Sequence, residues 1–417
     1  MVRAGVGLST QKDTHRAALE ATRMALAQAG SPAADFALVF ATTPHGANYS
    51  LLLRTVKETA QARDVVGCSA GGVLTTEGEV ERAPAVAVLV VRADTLTSRR
   101  FFIPQLRGRA SEVGKEVGEA VRPHLGAANL LVVFPDTYNF HPAPFFDGLA
   151  RTVPHVPVVG GGASEDGTIG ETFQFCGDAV SNDAVSGVLL SGHFSHTIAV
   201  TQSCQPISPV HTVTKARKNV IFELDGRPAF TVFAEVVRPP LIEDLRRAAA
   251  FIFVGLPVDP EREHIAPGEY AVRFVGLPVD PEREHIAPGE YAVRNIIGFD
   301  PHQGGIAVAD DIHPGQKVIF TLRDGNGARE DLKRVLETQV EQWQGQRPGF
   351  GLYFNCLGRG SGLYGFPDLD TSYIKQYLGE FPLIGFFTGC EIAPAKQRSA
   401  LHQYSGVLIL IGEKLTH

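Results

Sequence analysis

Positive charge is scarce in this chain: 38 lysines and arginines stand against 45 aspartates and glutamates, a formal net charge of -7 at pH 7. That excludes a general nucleic-acid or anionic-membrane surface, because displacing counterions needs an excess of Lys and Arg. Long apolar runs are missing too. The longest, such as the AVAVLVV that ends at Val91, are strand-sized and well short of the roughly 20 residues of a membrane helix. Thr14 to Gly30 has a charged amphipathic helix pattern without an apolar stretch, so no secretory leader is expected. Cysteine is sparse and odd in number. Cys68, Cys176, Cys204, Cys356 and Cys390 show no CxxC spacing, which argues against a disulfide framework or a paired-cysteine zinc site and for a reducing, cytoplasmic location. No metal or cofactor is expected. Two methionines beside 44 glycines and 27 prolines point to many tight turns between short strands.

What is present is ordinary in bulk and unusual in pattern. With 417 residues, 44% hydrophobic and 20% charged, the chain has the composition of a globular protein of two or three domains. A buried-strand run, a small-residue turn and a second apolar strand occur three times: VVGCSAGG from Val65 then PAVAVLVV from Pro84, VVGGGASEDG from Val158 then AVSGVLLSG from Ala184, and LIGFFTGCEIAP from Leu383 then YSGVLILIG from Tyr404. Each hook follows another strand at about one βαβ length: ALVFATTPHG from Ala37, NLLVVFPDTYNF from Asn129 and GLYFNCLGRGSG from Gly351. The fold expected is α+β, with repeated β-α-β-turn-β units forming mixed, largely antiparallel sheets with helices, in two pseudo-related domains. Its functional end should be where the hooks converge.

Helices are expected at Thr14–Ala29, Asn48–Ala62, Ser111–His124, Ala143–Thr152 and Arg329–Trp343. The last carries Leu332, Val335, Leu336, Val340 and Trp343 on one face. From Glu171 the period shifts toward 2, an antiparallel run, and around Pro228 to Ala250 the pattern turns helical again, as at the start of a second domain. Residues 253–273 and 274–294 are identical over 21 positions, FVGLPVDPEREHIAPGEYAVR twice. One strand slot cannot hold both copies, so one should be displaced as a surface loop, which costs little because closure grows only as the logarithm of loop length.

Candidate chemistry gathers around the third unit. In NCLGRGSGLYG, from Asn355 to Gly365, Gly358 and Gly360 let backbone amides approach a ligand beside Asn355, and Arg359 offers a planar bidentate donor to an anionic group. The GxxxxGK[ST] phosphate-loop spacing is absent. Glu391 is suited to a cationic group. Cys356 and Cys390 are the candidate nucleophiles, against the alternative of two small buried hydrophobes. Cys68 and Ser69 in the first hook complete the candidate ligand contacts, with Cys68 nearly in the place of Cys390. The second hook is glycine there and reads as packing. Polar residues also crowd two strand ends, Asp136, Thr137, Asn139 and His141 in one and Thr43, His45 and Asn48 in the other, fitting a crevice outside carboxyl strand ends or simple turns and caps. No HExxH, GxSxG or paired-carboxylate signature is present.

The hooks VVGCSAGG and IGFFTGCEIAP, the FNCLGRG segment and the order of the halves resemble the FIST domain, in its N-terminal and C-terminal parts. The resemblance implies an N-terminal helix over 1–32, a FIST N-terminal domain over 33–236 and a FIST C-terminal domain over 237–417 that contains the duplication. It implies a sensory, signal-transduction module for a small ligand, with amino acids suggested, and a signalling or ubiquitin-pathway partner, since relatives stand beside an F-box in ubiquitin-ligase adaptors. No F-box-sized segment precedes Ala33 and no output domain is attached, so a stand-alone form is expected. Its rivals are a cysteine-dependent enzyme and a protein-interaction adaptor; a binding module is favoured over an enzyme.

Overall fold

The computed structural model describes residues 2–237, 241–257, 291–395 and 398–413. Its first helix shows how local sequence sets an element. Thr14–Ala29 starts where the Asp13 side chain accepts from the Arg16 N–H at 2.8 Å, and stops at Gly30, which takes a left-handed φ of 59°. Ala17, Ala18, Ala21 and Ala25 are buried along one face. These small residues admit a strand that sequence periodicity did not reveal, Val2–Ser9, ahead of the helix. A Cβ on its Gly7 would sit 2.0 Å from the Ala21 carbonyl oxygen, so the close approach requires glycine.

The repeated units build three six-stranded sheets. In the first the order is Val2–Ser9, Val86–Ala93, Phe36–Thr42, Asp64–Ala70, Gln174–Cys176, Ala179–Ser181. In the second it is Leu96–Pro104, Ala184–Gly192, Ala128–Pro135, Val158–Gly161, Glu391–Ala395, Arg398–His402. In the third it is Ser195–Gln202, Ser405–Gly412, Phe350–Cys356, Leu383–Thr388, Gly72–Thr75, Gly78–Glu81. Each sheet has one parallel pair and is otherwise antiparallel, the mixed and largely antiparallel architecture expected. The last two strands of every sheet come from a different unit. The first unit lends its hairpin to the third sheet, the third to the second and the second to the first.

The three sheets turn their inner faces to one core, and helices cover the outer faces. At its centre Phe40, Phe134 and Phe354 hold corresponding places on the three central strands, edge to face with centroids 5.3, 5.9 and 6.5 Å apart.

The third unit carries a large insertion. Between Ser195–Gln202 and the helix Gly325–Trp343, a closed antiparallel barrel runs through Lys317–Arg323, His211–Arg217, Val220–Leu224, Gly305–Val308, Tyr291–Asp300 and Ile252–Pro257, and back to Lys317–Arg323. Its own core includes Val213, Phe233, Ile306 and Phe320. The helix Ala229–Val236 belongs to this insertion. The duplicated segment enters it twice. The first copy supplies Phe253 to Pro257 and the second Tyr291 to Arg294, paired antiparallel with Val254 opposite Arg294. The displaced loop expected from the repeat lies outside the described residues.

Candidate functional site

Every hook carries a glycine at the same register. Gly67 pairs with Val39, Gly160 with Val133 and Gly385 with Tyr353. An added Cβ would stand 1.7, 2.0 and 1.7 Å from the respective carbonyl oxygens of Val39, Val133 and Tyr353. No side chain fits there, which explains the repeated glycine. This register also corrects one correspondence: Cys68 matches Phe386, both opposite the central phenylalanines, rather than Cys390.

Beyond these glycines the three hooks lock together. The Ser69 hydroxyl donates to the Ser164 carbonyl at 2.9 Å, and the Gly71 N–H donates to the Ser164 hydroxyl at 2.9 Å. The Ser164 hydroxyl donates in turn to the Phe387 carbonyl. Gly162 N–H donates to the Cys390 carbonyl at 2.8 Å, and the Thr388 hydroxyl to the Gly162 carbonyl at 2.7 Å.

A cavity of about 390 Å³ opens over this junction, within the range of roughly 300–1,000 Å³ typical of small-molecule sites. All three units line it: Gly71, Glu81 and Arg82 from the first; Thr137, Tyr138, Ser164, Glu165 and Asp166 from the second; Leu357, Phe387 and Gly389 from the third. Its charges are of both signs. Arg82, at the end of its hairpin with a left-handed φ of 56°, is the cation among these lining residues.

Glu165 organises the rim. One carboxylate oxygen accepts from the N–H groups of Gly167, Thr168 and Ile169 at 2.8, 2.8 and 3.1 Å, and the other accepts from the Tyr138 hydroxyl at 2.9 Å. Burial alone would raise this carboxyl's pKa, but the donors from Ile169, Tyr138, Thr168 and Gly167 hold it below the ordinary range. The Thr168 and Thr43 hydroxyls likewise hold Asp166 low. Glu81 accepts from the Ser361 N–H at 2.8 Å through one oxygen.

The residues singled out from sequence lie just behind this wall. Arg359 is fully buried and committed: it donates to both oxygens of Asp370 at 3.0 Å, to the Tyr364 hydroxyl at 2.6 Å and to the Ser203 hydroxyl at 2.8 Å. Its assignment to a ligand anion is therefore corrected, since the guanidinium is an internal brace. Asn355 is buried and donates to the same Asp370 at 3.0 Å. Glu391 is buried, accepts from the N–H and hydroxyl of Ser405 at 3.1 and 2.7 Å, and has its pKa raised by burial to about 8. Burial thus disfavours the carboxylate form that a ligand cation would need.

Cys356 and Cys390 are buried, and burial pushes both thiols up, Cys390 to about 12, the opposite of an activated nucleophile. Cys68 is buried and Ser69 is spent on hook contacts. Gly358 and Gly360 sit in the turn beside Leu357; a Cβ on Gly360 would meet Glu81 and Phe387. The second hook, read as packing, supplies Ser164, Glu165 and Asp166 to the cavity instead. Its SED triplet was the available signal, and Thr137 in the polar strand-end group was another.

Family models place the chain. The FIST N domain matches residues 35–227 and the FIST C domain residues 229–394. The chain belongs to the FIST family. FIST domains are sensory modules of signal transduction. An uncharacterized protein of Mycobacterium tuberculosis, Rv0628c, is 30% identical over 98% of this chain and 99% of its own length. An uncharacterized protein of Methanocaldococcus jannaschii, MJ1623, is 26% identical over 42% of this chain and 35% of its own. Among solved structures, a cyanuric acid hydrolase is similar over 99% of this chain and 100% of its own, at 8% identity and a TM-score of 0.38, too distant to carry over any chemistry. Among the described residues of this FIST protein, no helix is long and apolar enough to cross a membrane, and no group of His, Cys, Asp and Glu is arranged to hold a metal ion.

Proposed function

We propose that this FIST protein is a cytoplasmic sensor that binds a small amphoteric ligand, of the amino-acid type, in the cavity at the hook junction, and passes the signal to a partner protein. One observation carries this reading: a single cavity takes its walls from all three units and is lined both by Arg82 and by the acidic residues Glu81, Glu165 and Asp166. A zwitterion answers both signs, and Leu357 and Phe387 leave an apolar wall for the rest of the molecule. The thiol-enzyme alternative gains no support, because both candidate nucleophiles are buried and held protonated.

Calorimetry and thermal-shift measurements against the common amino acids and small carboxylates test it. A binder should lose at least about tenfold in affinity in Arg82→Ala, the size of one charge-assisted contact. A panel without a binder, or a binder indifferent to Arg82→Ala, would sink the proposal.

A further inference from the structure

The turn from Cys356 to Ser361 faces two ways. Toward the cavity, Leu357 forms part of the wall, 44% exposed, and the Ser361 N–H holds the lining residue Glu81 at 2.8 Å. Away from it, the turn grips the base of the inserted barrel. Arg359 donates to the Ser203 hydroxyl at 2.8 Å, and a Cβ on Gly358 would lie 3.0 Å from the Tyr404 ring and 3.3 Å from the Arg323 guanidinium. Ser203 and Arg323 are where the chain leaves and rejoins the third unit. They are tied together there: the Asp324 N–H donates to the Ser203 carbonyl at 3.0 Å, and the Ser203 N–H to the Tyr404 carbonyl at 2.9 Å.

The turn has little slack. Gly360 adopts φ 60° and ψ -148°, a region open essentially to glycine alone, and its Cα is packed so closely that an added Cβ would be 2.7 Å from both Glu81 and Phe387. The Arg359 N–H closes the turn on the Cys356 carbonyl at 2.8 Å, and the Leu357 N–H ties it to the Thr388 carbonyl of the third hook at 3.1 Å. A backbone shift at Leu357, or one passed from Glu81 through the Ser361 N–H, would therefore reach Gly358 and Arg359 in the same closed turn. Close-packed interiors transmit such shifts rather than absorb them.

We propose that the Cys356–Ser361 turn couples occupancy of the cavity to the seating of the inserted barrel, which makes the barrel the output element of the sensor. The coupling rests on the reading of the cavity as a ligand site, but it can be tested without a ligand. Leu357→Trp extends the cavity's own wall into its space, and Leu357→Phe does so more gently should the first variant fold poorly. Hydrogen exchange on the full chain, by mass spectrometry, is the readout.

Amides at the barrel base, in Cys204–Pro206, Ile252–Pro257 and Lys317–Arg323, should change exchange rate by about five- to tenfold, the low end of ordinary coupling between sites. Ser203→Ala removes the Arg359 contact. Combined with the Leu357 variant, it should reduce that change to less than about twofold, the signature of a pairwise coupling. A response confined to the hooks at 69–72, 162–166 and 387–390, or one that persists undiminished in the double variant, overturns the proposal. An empty ligand panel with a responding barrel would defeat the ligand assignment and leave the coupling standing.

Discussion

Arg359 and Asp370 form a bidentate ion pair in which neither side chain is exposed at all. Tyr353, Asn355 and Tyr364 converge on the same carboxylate at 3.0, 3.0 and 2.9 Å. The pair is thus the polar centre of the third unit, joining its central strand to the helix Leu369–Leu378. Removing one partner of a buried pair leaves an uncompensated charge and costs about 3–5 kcal/mol. Arg359→Ala should therefore lower stability by about that amount in urea unfolding, whereas Arg359→Met with Asp370→Leu should recover part of the loss. A normally stable Arg359→Ala would show that the arginine is not structural.

Buried carboxyls give stability a defined pH dependence. Burial raises Glu79 and Glu391 from 4.5 to about 8, so between those values the folded chain keeps protons that the unfolded chain has released. Their contribution is complete below about 4.5, is lost as pH rises toward 8 and changes no further above it. His402 acts in the opposite sense: burial lowers it from 6.5 to about 4, so stability rises with pH across that window. The two trends oppose each other up to 6.5, and a net decline in melting temperature is expected from 6.5 to 8. Glu79→Gln with Glu391→Gln should flatten that decline; an unchanged slope would assign it to other groups.

The hook glycines should tolerate no side chain. Gly67→Ala and Gly385→Ala each place a methyl group 1.7 Å from a carbonyl oxygen, and the forced strand separation should cost at least about 1–3 kcal/mol. Gly362→Ala is the control. Nothing lies within 4 Å of a Cβ there, in the short helix Ser361–Tyr364, so it should be neutral or stabilising by about 0.5–1 kcal/mol. Equal unfolding midpoints for the three variants would contradict the register.

Excising one copy of the 21-residue repeat leaves the same two strands in the same pairing, because the first copy contributes only its beginning and the second its end to the Ile252–Pro257 and Tyr291–Asp300 pair. The change in closure entropy amounts to about 1 kcal/mol, which shifts the melting temperature by less than about 4 °C. Loss of folding on excision would mean that both copies are structural.

The sequence alone determined the repeating unit and its local elements. Strand runs such as VAVLVV, the Asp13 cap and Gly30 stop of the first helix, and the glycine of each hook are signals written within a few residues of their effect. They sufficed for the mixed sheets, the outer helices and the convergence of the hooks. Partner choice was decided only by the tertiary structure. Nothing local says that Val73 pairs with Phe386, that Ile392 pairs with Gly160, or that Arg359 points inward to Asp370 rather than outward to a ligand. Those pairings depend on burial and on contacts between segments far apart in the chain. The same long-range closure moved the candidate site off the third hook and onto a cavity that no single unit contains.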